Sequence, residues 1–254
     1  MNAAGAPEQL LSRIRVILSR PSHPGNIGAA ARAMKTMGLS RLYLVTPERF
    51  PDDEAVARAT GAADLLTAAT VCSTLDEALA GTIYAAAVTA RLRDLGPVPQ
   101  QARQGMDELL RQAVVGEVAL VFGNETVGLS NAEVQRCQAA VSIPTNAEFS
   151  SLNLGSAVQV LCYEARMAAY AERPPVAKGV VTPFSSPLAA HEEIEGFFAH
   201  LEEVMIATRF QDPSKPKRLM PKLRRLFGRA RLEKSEINIL RGILTATQEQ
   251  SKRG

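Results

Sequence analysis

Three separated segments carry the polar side chains with which this chain could perform chemistry. The first segment is HPGNIGAAARAM, from His23 to Met34, the second is FGNETVGLS, from Phe122 to Ser130, and the third is SIPTNAEFSSLNLGSA, from Ser142 to Ala157. Each lies where an apolar run of the strand type gives way to a turn or a helix. Open α/β sheets bind their ligands at such carboxyl ends of strands. The three segments therefore predict one composite ligand site.

The first segment places Arg32 in the middle of a helix that is otherwise rich in alanine and methionine. A buried guanidinium without a partner is costly, so an arginine at this point predicts an anionic or dipolar partner. Lys35 lies three residues further on, where both cations could face one molecule that bears phosphate. The alternative is a plain turn that leads into a buried helix.

The second and third segments offer backbone, amide and hydroxyl groups to a polar ligand. Gly123 directly follows the apolar run VALVF, and a glycine there permits close approach of the backbone to a ligand. Ser150, Ser151 and Asn153 surround a predicted helix start, whose free N–H groups suit a polar group. An ordinary turn and plain helix capping are the alternatives. Because GxGxxG, GKS and GKT patterns are absent, an NTPase or a standard dinucleotide enzyme is disfavoured.

Arg91 and Arg93 follow a further apolar run, TIYAAAV, at its carboxyl end. Two arginines in irregular chain are often only a solvated charge pair. Their position beside the other segments makes contact with phosphate an equally good interpretation.

Strands and helices are predicted to alternate in the first two-thirds of the chain, as a parallel α/β sheet requires. A compact helix is expected from Ala29 to Met37, with Asn26 as its N-cap and Gly38 at its end. A longer helix is expected from Leu152 to Ala171, capped by one of the two serines before it. The strands should be apolar on both faces, because helices cover each side. They are predicted at Ile14 to Leu18, Arg41 to Val45, Thr82 to Val88, Val118 to Phe122 and Ala140 to Ile143.

The composition indicates a globular protein with one large core. The chain has 254 residues, 46% of them hydrophobic, and no apolar run long enough to cross a bilayer. It also begins without a secretory signal, so a cytoplasmic protein is expected. Cys72, Cys137 and Cys162 form no CxxC pair and there are only three histidines, so buried free thiols and no metal site are expected.

The last third of the chain differs in composition and charge. A proline-rich stretch over 172–188 predicts a linker between a first domain, residues 1–171, and a helical extension, residues 189–254. Helices are expected from Ala189 to Ala207 and from Ser235 to Gln248. Between them, from Thr208 to Lys234, ten Lys or Arg and two acidic residues give +8 in a chain of net charge +3. This basic segment, which three prolines interrupt, predicts a polyanionic partner.

Together the three segments resemble the motifs of the SPOUT class of knotted RNA methyltransferases, and within it the bacterial tRNA ribose 2′-O-methyltransferases. The similarity covers about residues 11–170 and is specific, because all three motifs occur in order. It implies an α/β fold with a SPOUT-type parallel sheet and a deep C-terminal trefoil knot, followed by a small α-helical extension. Pattern alone would not suggest a knot, since protein chains almost never form one.

The resemblance also implies a cofactor, partners and site residues. The cofactor is S-adenosylmethionine, and the partners are tRNA and a second copy of the chain in a homodimer. The catalytic positions are Arg32, Glu125 and Asn153. The cofactor-binding positions are Val88, Thr89, Ala90, Gly123, Ile143, Ser150, Ser151 and Leu152. The RNA-binding positions are Asn26, Lys35, Arg91 and Arg93, with Lys222, Arg224 and Arg225 in the extension.

Methyl transfer from a sulfonium to a ribose hydroxyl requires no metal, because the donor is already activated. The protein must align the two reactants and stabilise the oxygen as its proton leaves. A guanidinium stays protonated in proteins, so Arg32 is expected to hold the target phosphate or hydroxyl and stabilise the developing alkoxide rather than act as a base.

The expected function is methylation of cytidine or uridine at position 32 in the tRNA anticodon loop. Two alternatives are a ribosomal RNA methyltransferase of the same class and an RNA-binding protein that has kept the knot but lost turnover. The basic C-terminal extension favours tRNA over the first alternative. The intact Arg32, Glu125 and Asn153 argue against the second.

Overall fold

The computed structural model of the chain describes residues 6–91, 96–148, 151–171 and 186–251. Contacts between Cα atoms divide the chain into two units, Met1–Gly179 and Val180–Gly254. The domain boundaries at residues 171 and 189 stay a prediction, because residues 172–185 of the linker lie outside the described residues. Within the described residues, no helix is both long and apolar enough to cross a membrane.

Seven parallel strands form one sheet in the first unit, in the order β3-β2-β1-β6-β4-β7-β5. Five of them confirm the predicted strands to within two residues at each end. These are β1 (Ile14–Ser19), β2 (Arg41–Val45), β4 (Tyr84–Val88), β6 (Val118–Phe122) and β7 (Ala139–Ser142). Every residue of β1 and β6 is buried, as expected for strands covered on both faces.

Two strands of three residues each, β3 (Thr70–Cys72) and β5 (Pro99–Gln101), were not predicted from the sequence. Both lie at the edges of the sheet. An edge strand has a partner on one side only and is partly exposed, so no continuous apolar run marks it in the sequence. The proline at the start of β5 is compatible with this position, because an edge strand can lack one ladder donor.

Helices cover both faces of the sheet and bury alternate residues of its strands. On one face, α2, α6 and α8 pack over Val16 and Leu18. On the other face, α5 and α7 pack over Ile17 and Val121. The helices of the first unit are α1 (Pro7–Leu11), α2 (Pro24–Met37), α3 (Asp53–Ala59), α4 (Ala63–Thr67), α5 (Leu75–Leu79), α6 (Ala102–Ala113), α7 (Asn131–Gln135) and α8 (Leu154–Tyr170).

The three cysteines are buried free thiols, as predicted. Burial raises the pKa of Cys162 to about 12, so this thiol stays protonated at neutral pH. Among the residues that the structure describes, no group of three or more His, Cys, Asp or Glu side chains could hold a metal ion.

Helix α2 starts earlier than predicted and has a different cap. His23, rather than Asn26, is the N-cap, and its Nδ1 accepts a hydrogen bond from the backbone N of Gly25 at 3.1 Å. Asn26 lies inside the helix, where its side chain is free for tertiary contacts. Gly38 ends the helix as predicted, in the left-handed conformation with φ 83°.

Helix α8 is capped by Asn153 rather than by the serines before it. The Oδ1 atom of Asn153 accepts a hydrogen bond from the backbone N of Gly155 at 2.9 Å. A Cβ on Gly155 would lie 2.7 Å from the Cβ of Ala29, so α8 crosses α2 with almost no space between them. This close packing fixes the third segment against the first.

Over residues 186–251, the second unit contains three helices, α9 (His191–Ala207), α10 (Leu219–Gly228) and α11 (Lys234–Ser251). Its core includes Phe197, Phe198 and Ile237, and the ring of Phe227 on α10 lies edge-on to Phe197 at 5.0 Å. Helix α10 was not predicted, because three prolines interrupt the basic segment that contains it. Pro221 lies in the first helical turn, where a missing N–H costs no intrahelical bond.

Candidate active site

A cleft opens at the carboxyl ends of β6, β4 and β7, which are neighbours in the sheet. It encloses a cavity of about 170 Å³. Residues 88–91 form the end of β4 and the chain after it, and residues 122–129 form the end of β6 and the loop after it. The rest of the wall lies between β7 and α8 and on the first turn of α8, and consists of Ile143, Thr145, Ser151, Leu152, Leu154 and Ala157. The structure thus brings the second and third segments together around one space.

Most of the predicted cofactor-binding residues line this cleft. They are Val88, Thr89, Ala90, Gly123, Ile143, Ser151 and Leu152. Ser150 lies outside the described residues, as does Arg93 of the predicted RNA-binding pair. Arg91, the other member of that pair, lines the mouth of the same cleft. Thr145, Leu154 and Ala157 also line the cleft but were not predicted to bind the cofactor.

The loop itself requires Gly123, while the close approach of a ligand to this glycine stays a prediction. A Cβ on Gly123 would lie 2.2 Å from the backbone N of Leu129 and 2.3 Å from the carbonyl carbon of Gly128. The chain therefore folds back onto the end of β6, and Asn124 and Gly128 form an isolated antiparallel bridge. Any side chain at position 123 would displace the loop that forms the cleft wall.

Glu125 joins the second segment to the first. Its Oε2 accepts hydrogen bonds from the backbone N of Ser22 at 3.0 Å and from the Ser22 hydroxyl at 2.8 Å. Its Oε1 accepts from the Asn26 amide at 2.9 Å and from the backbone N of His23 at 3.3 Å. Burial alone would raise the pKa of Glu125, but these donors stabilise the carboxylate and leave the pKa below its ordinary value.

Asn26 extends this network to the third segment. The Nδ2 of Asn153 donates to the Oδ1 of Asn26 at 2.8 Å, while the Oδ1 of Asn153 caps α8. Glu125, Asn26 and Asn153 thus form one continuous chain of hydrogen bonds. The sequence analysis placed all three residues at the site but did not predict that they touch.

We expect the Glu125 carboxylate to stabilise the first unit at neutral pH and to lose this effect in acid. Its folded pKa is lowered from 4.5, so its contribution is complete above pH 4.5 and disappears as the pH falls through the folded value. The difference in free energy of unfolding between wild type and Glu125→Gln should therefore shrink between pH 7 and pH 3 in urea titrations. A difference that is independent of pH would contradict this assignment.

Arg32 lies outside the cleft wall. Its side chain is exposed on α2, and among the described residues it makes no hydrogen bond or ion pair. The expectation that burial forces a partner on it is therefore wrong, because α2 buries its other sides. The Lys35 ammonium binds Asp64 at 2.7 Å, and the hypothesis that Arg32 and Lys35 face one ligand stays a prediction.

Arg224 makes contacts within the second unit, and its assignment to RNA binding stays a prediction. Its guanidinium donates two hydrogen bonds to the Glu195 carboxylate, at 2.6 and 2.7 Å, and lies 4.3 Å from the centre of the Phe198 ring. Lys222 and Arg225, the other predicted RNA contacts on α10, are exposed.

A pair of variants on α10 separates these roles. Arg224→Ala should lower the free energy of unfolding of the second unit by about 2 kcal/mol. The reason is that it removes an ion pair with two hydrogen bonds, so that the half-buried Glu195 carboxylate loses both of these donors. Lys222→Ala should leave stability unchanged and lower the salt slope of tRNA binding by about 1. Urea titration and filter binding measure the two effects. Equal stability of both variants would contradict the structural role of Arg224.

The sequence of the chain matches two known protein families. Residues 13–163 match the SpoU rRNA Methylase family, and residues 192–254 match the C-terminal domain of tRNA methyltransferase TrmJ. The tRNA (cytidine/uridine/adenosine-2′-O-)-methyltransferase TrmJ of Pseudomonas aeruginosa is 50% identical over 248 residues, which is 96% of each chain.

Two solved structures show the same fold. The crystal structure of TrmJ from Z. mobilis has a TM-score of 0.79 at 32% identity, and the match covers 91% of this chain and 97% of that one. The SpoU methyltransferase AviRb from Streptomyces viridochromogenes, in complex with the cofactor AdoMet, has a TM-score of 0.50 at 27% identity and covers 62% of this chain and 58% of that one. The chain therefore belongs to the SpoU methylase family, in its TrmJ branch.

Proposed function

We propose that this protein transfers a methyl group from S-adenosylmethionine to the ribose 2′-hydroxyl of cytidine or uridine 32 in the anticodon loop of tRNA, in the cytoplasm. The observation that carries the proposal is the cleft at the ends of β6, β4 and β7, whose walls are the second and third segments. The match of residues 192–254 to the C-terminal domain of a tRNA enzyme favours tRNA over ribosomal RNA.

The residues that line the cleft suit the chemistry of S-adenosylmethionine. Val88, Ile143 and Leu152 offer apolar surface to an adenine ring, and Thr89 and Ser151 add hydroxyl groups beside the backbone of residues 123–128. A mainly apolar wall with few polar groups is typical of cofactor sites. When bound, the cofactor supplies an activated methyl group on its sulfonium. We propose further that the chain forms the trefoil knot of its family around this cleft.

The residues of the hydrogen-bonded chain position the reactants rather than exchange protons. The Glu125 carboxylate already accepts from Ser22, His23 and Asn26, so it holds the start of α2 in place. Arg32 binds the target phosphate or 2′-oxygen and stabilises negative charge as it develops on that oxygen. The proton of the hydroxyl leaves to water.

We propose that a homodimer completes the site, because Arg32 lies outside the cleft of its own chain. Helix α8 exposes Tyr163, Met167 and Tyr170 by 46%, 50% and 47%, at a spacing that puts them on one side. Such an exposed apolar row on a helix marks an interface. Arg32 lies one turn after Gly28, which contacts α3, and three residues after Ala29, which contacts α8. It therefore borders the α8 surface, from which it can reach a partner's cleft.

The second unit supplies a basic surface for the tRNA backbone. Its exposed cations Arg218, Lys222, Arg225 and Arg229 recur at helical spacing along and beside α10, and we name these four the basic stripe. Lys and Arg that bind phosphates release counterions, which drives binding at low salt. The first turn of α10 contains no acidic residue to offset this charge.

Transfer of tritium from labelled S-adenosylmethionine tests the proposal. The purified protein should label bulk tRNA from cells that lack this enzyme, and should leave ribosomal RNA unlabelled. Labelling of ribosomal RNA alone would favour the first alternative. Binding of tRNA without any labelling would favour the RNA-binding alternative. Light scattering on the same sample should show a dimer, and a stable active monomer would contradict the shared site.

A further inference from the structure

We infer that Asn124 is a positioning residue, which fixes the loop of residues 123–129 to the end of β1 and thereby sets the affinity for the cofactor. This inference rests on the proposed function. Asn124 stands between Gly123 and Glu125, and residues 122–129 form a large part of the cleft wall. Its side chain has two halves, and each half makes different contacts.

The oxygen side of Asn124 shapes the loop. Its Oδ1 accepts hydrogen bonds from the backbone N of Thr126 at 2.9 Å and from the backbone N of Val127 at 3.2 Å. Its backbone carbonyl accepts from the N of Gly128 at 2.8 Å, and Gly128 takes the left-handed φ of 69° that the turn requires. These bonds define the turn but do not tie it to the sheet.

The nitrogen side of Asn124 connects the turn to the end of β1, and we call this connection the tie. Its Nδ2 donates to the backbone carbonyl of Arg20 at 2.9 Å. Arg20 has a left-handed φ of 51°, which few residues other than glycine adopt. Its backbone N donates to the carbonyl of Val45 at 2.8 Å, and its guanidinium binds the Glu133 carboxylate at 3.0 Å. The acceptor of the tie is therefore held in a fixed direction.

Glu133 is in turn fixed to the sheet and to α7. It accepts from the hydroxyl of Ser19, which is 1% exposed, and it completes a capping box with Ser130 at the start of α7. Because Glu125 binds Ser22, His23 and Asn26 while Asn124 binds Arg20, the two neighbouring residues hold both ends of the segment 20–26. These hydrogen bonds connect the segment 20–26 to the cleft loop at both of its ends.

Two substitutions separate the tie from the turn. Asn124→Asp keeps an oxygen that can accept from Thr126 and Val127 but loses the donor to Arg20, whereas Asn124→Ala loses both. We expect both variants to raise the KM for S-adenosylmethionine by about tenfold, with kcat within about threefold of wild type. An added negative charge would by itself attract a sulfonium and lower KM, so a raised KM in Asn124→Asp reports the lost tie. Asn238→Asp, on exposed α11, controls for the change in net charge.

The outcomes are distinct. A wild-type KM in Asn124→Asp with a raised KM in Asn124→Ala would show that only the turn matters, and would overturn the inference. A lower melting temperature and a smaller active fraction at unchanged KM would also overturn it, because a merely structural residue acts in that way. Failure of the wild-type protein to bind S-adenosylmethionine in calorimetry would overturn the proposed function itself.

Discussion

Replacement of Arg32 by alanine should lower kcat for methyl transfer to tRNA by about 10²- to 10³-fold, a loss typical of removing one donor to a developing oxyanion. The Kd for S-adenosylmethionine should stay unchanged, because Arg32 is not part of the cleft wall. Single-turnover kinetics measure the first quantity and calorimetry measures the second. An equal loss of cofactor binding would show that the variant is misfolded.

Arg32→Lys tests whether the guanidinium geometry is required, and Lys35→Ala is the control for loss of a positive charge on the same helix. A lysine keeps the charge but loses the planar, two-donor geometry that binds a phosphate or an alkoxide, so most of the activity should still be lost. Lys35 lies on the same helix and its ammonium is engaged by Asp64, so Lys35→Ala should leave kcat within a few-fold of wild type. Near-normal turnover of Arg32→Lys would contradict a bidentate role.

Deletion of residues 172–254 should weaken tRNA binding by on the order of a hundredfold and flatten its dependence on salt, while cofactor binding stays largely intact. The first unit retains its own core and the whole cleft after this deletion. If the basic stripe carries the effect, the slope of log K against log salt should fall by about 3, the loss expected for four phosphate contacts. Filter binding between 50 and 200 mM salt measures it.

The full-length chain provides the matched control for that deletion. Glutamine at all four positions of the basic stripe, Arg218, Lys222, Arg225 and Arg229, should reproduce the change in slope without removing any helix. The ion pair of Arg224 with Glu195 remains in this variant and keeps the second unit folded. Unchanged tRNA affinity after the deletion would refute a role for the second unit in binding.

The central strands of the sheet could be predicted from the sequence because short segments of the chain carry their signature. Strands β1 and β6 are buried on both faces, so each is a continuous apolar run. The edge strands β3 and β5 could not be predicted, since half-exposed runs of three residues have no such signature. Helix α10 was missed because proline in a first turn looks the same in sequence as proline that ends a helix.

The sequence predicted which residues belong to the site, but it did not predict the contacts between them. The motifs identified Asn26, Glu125 and Asn153, but the hydrogen bonds that join them span 99 and 127 residues of sequence. Asn26 was expected to cap α2 on local grounds. Its amide instead binds Glu125, and the cap falls to His23. Residues that depart from a local rule in this way are concentrated at functional sites.

The sequence also does not show which basic residues are paired within the fold and which are exposed to solvent. In sequence, Arg224 and Lys222 are two members of one basic segment with nothing to distinguish them. Only the tertiary position of Glu195 and Phe198 shows that Arg224 is paired within the unit. Likewise, the exposure of Arg32 follows from the packing of α2. This packing depends on Gly28 and on Gly155 of α8, a helix that is distant in sequence.

Mass spectrometry of nucleosides from tRNA incubated with the purified protein and S-adenosylmethionine tests the central claim most directly. The account predicts 2′-O-methylcytidine or 2′-O-methyluridine, which fragment mapping places at position 32, and predicts none with Arg32→Ala. Methyl groups on a base rather than on the ribose, or unmodified tRNA with a protein that binds the cofactor, would contradict it.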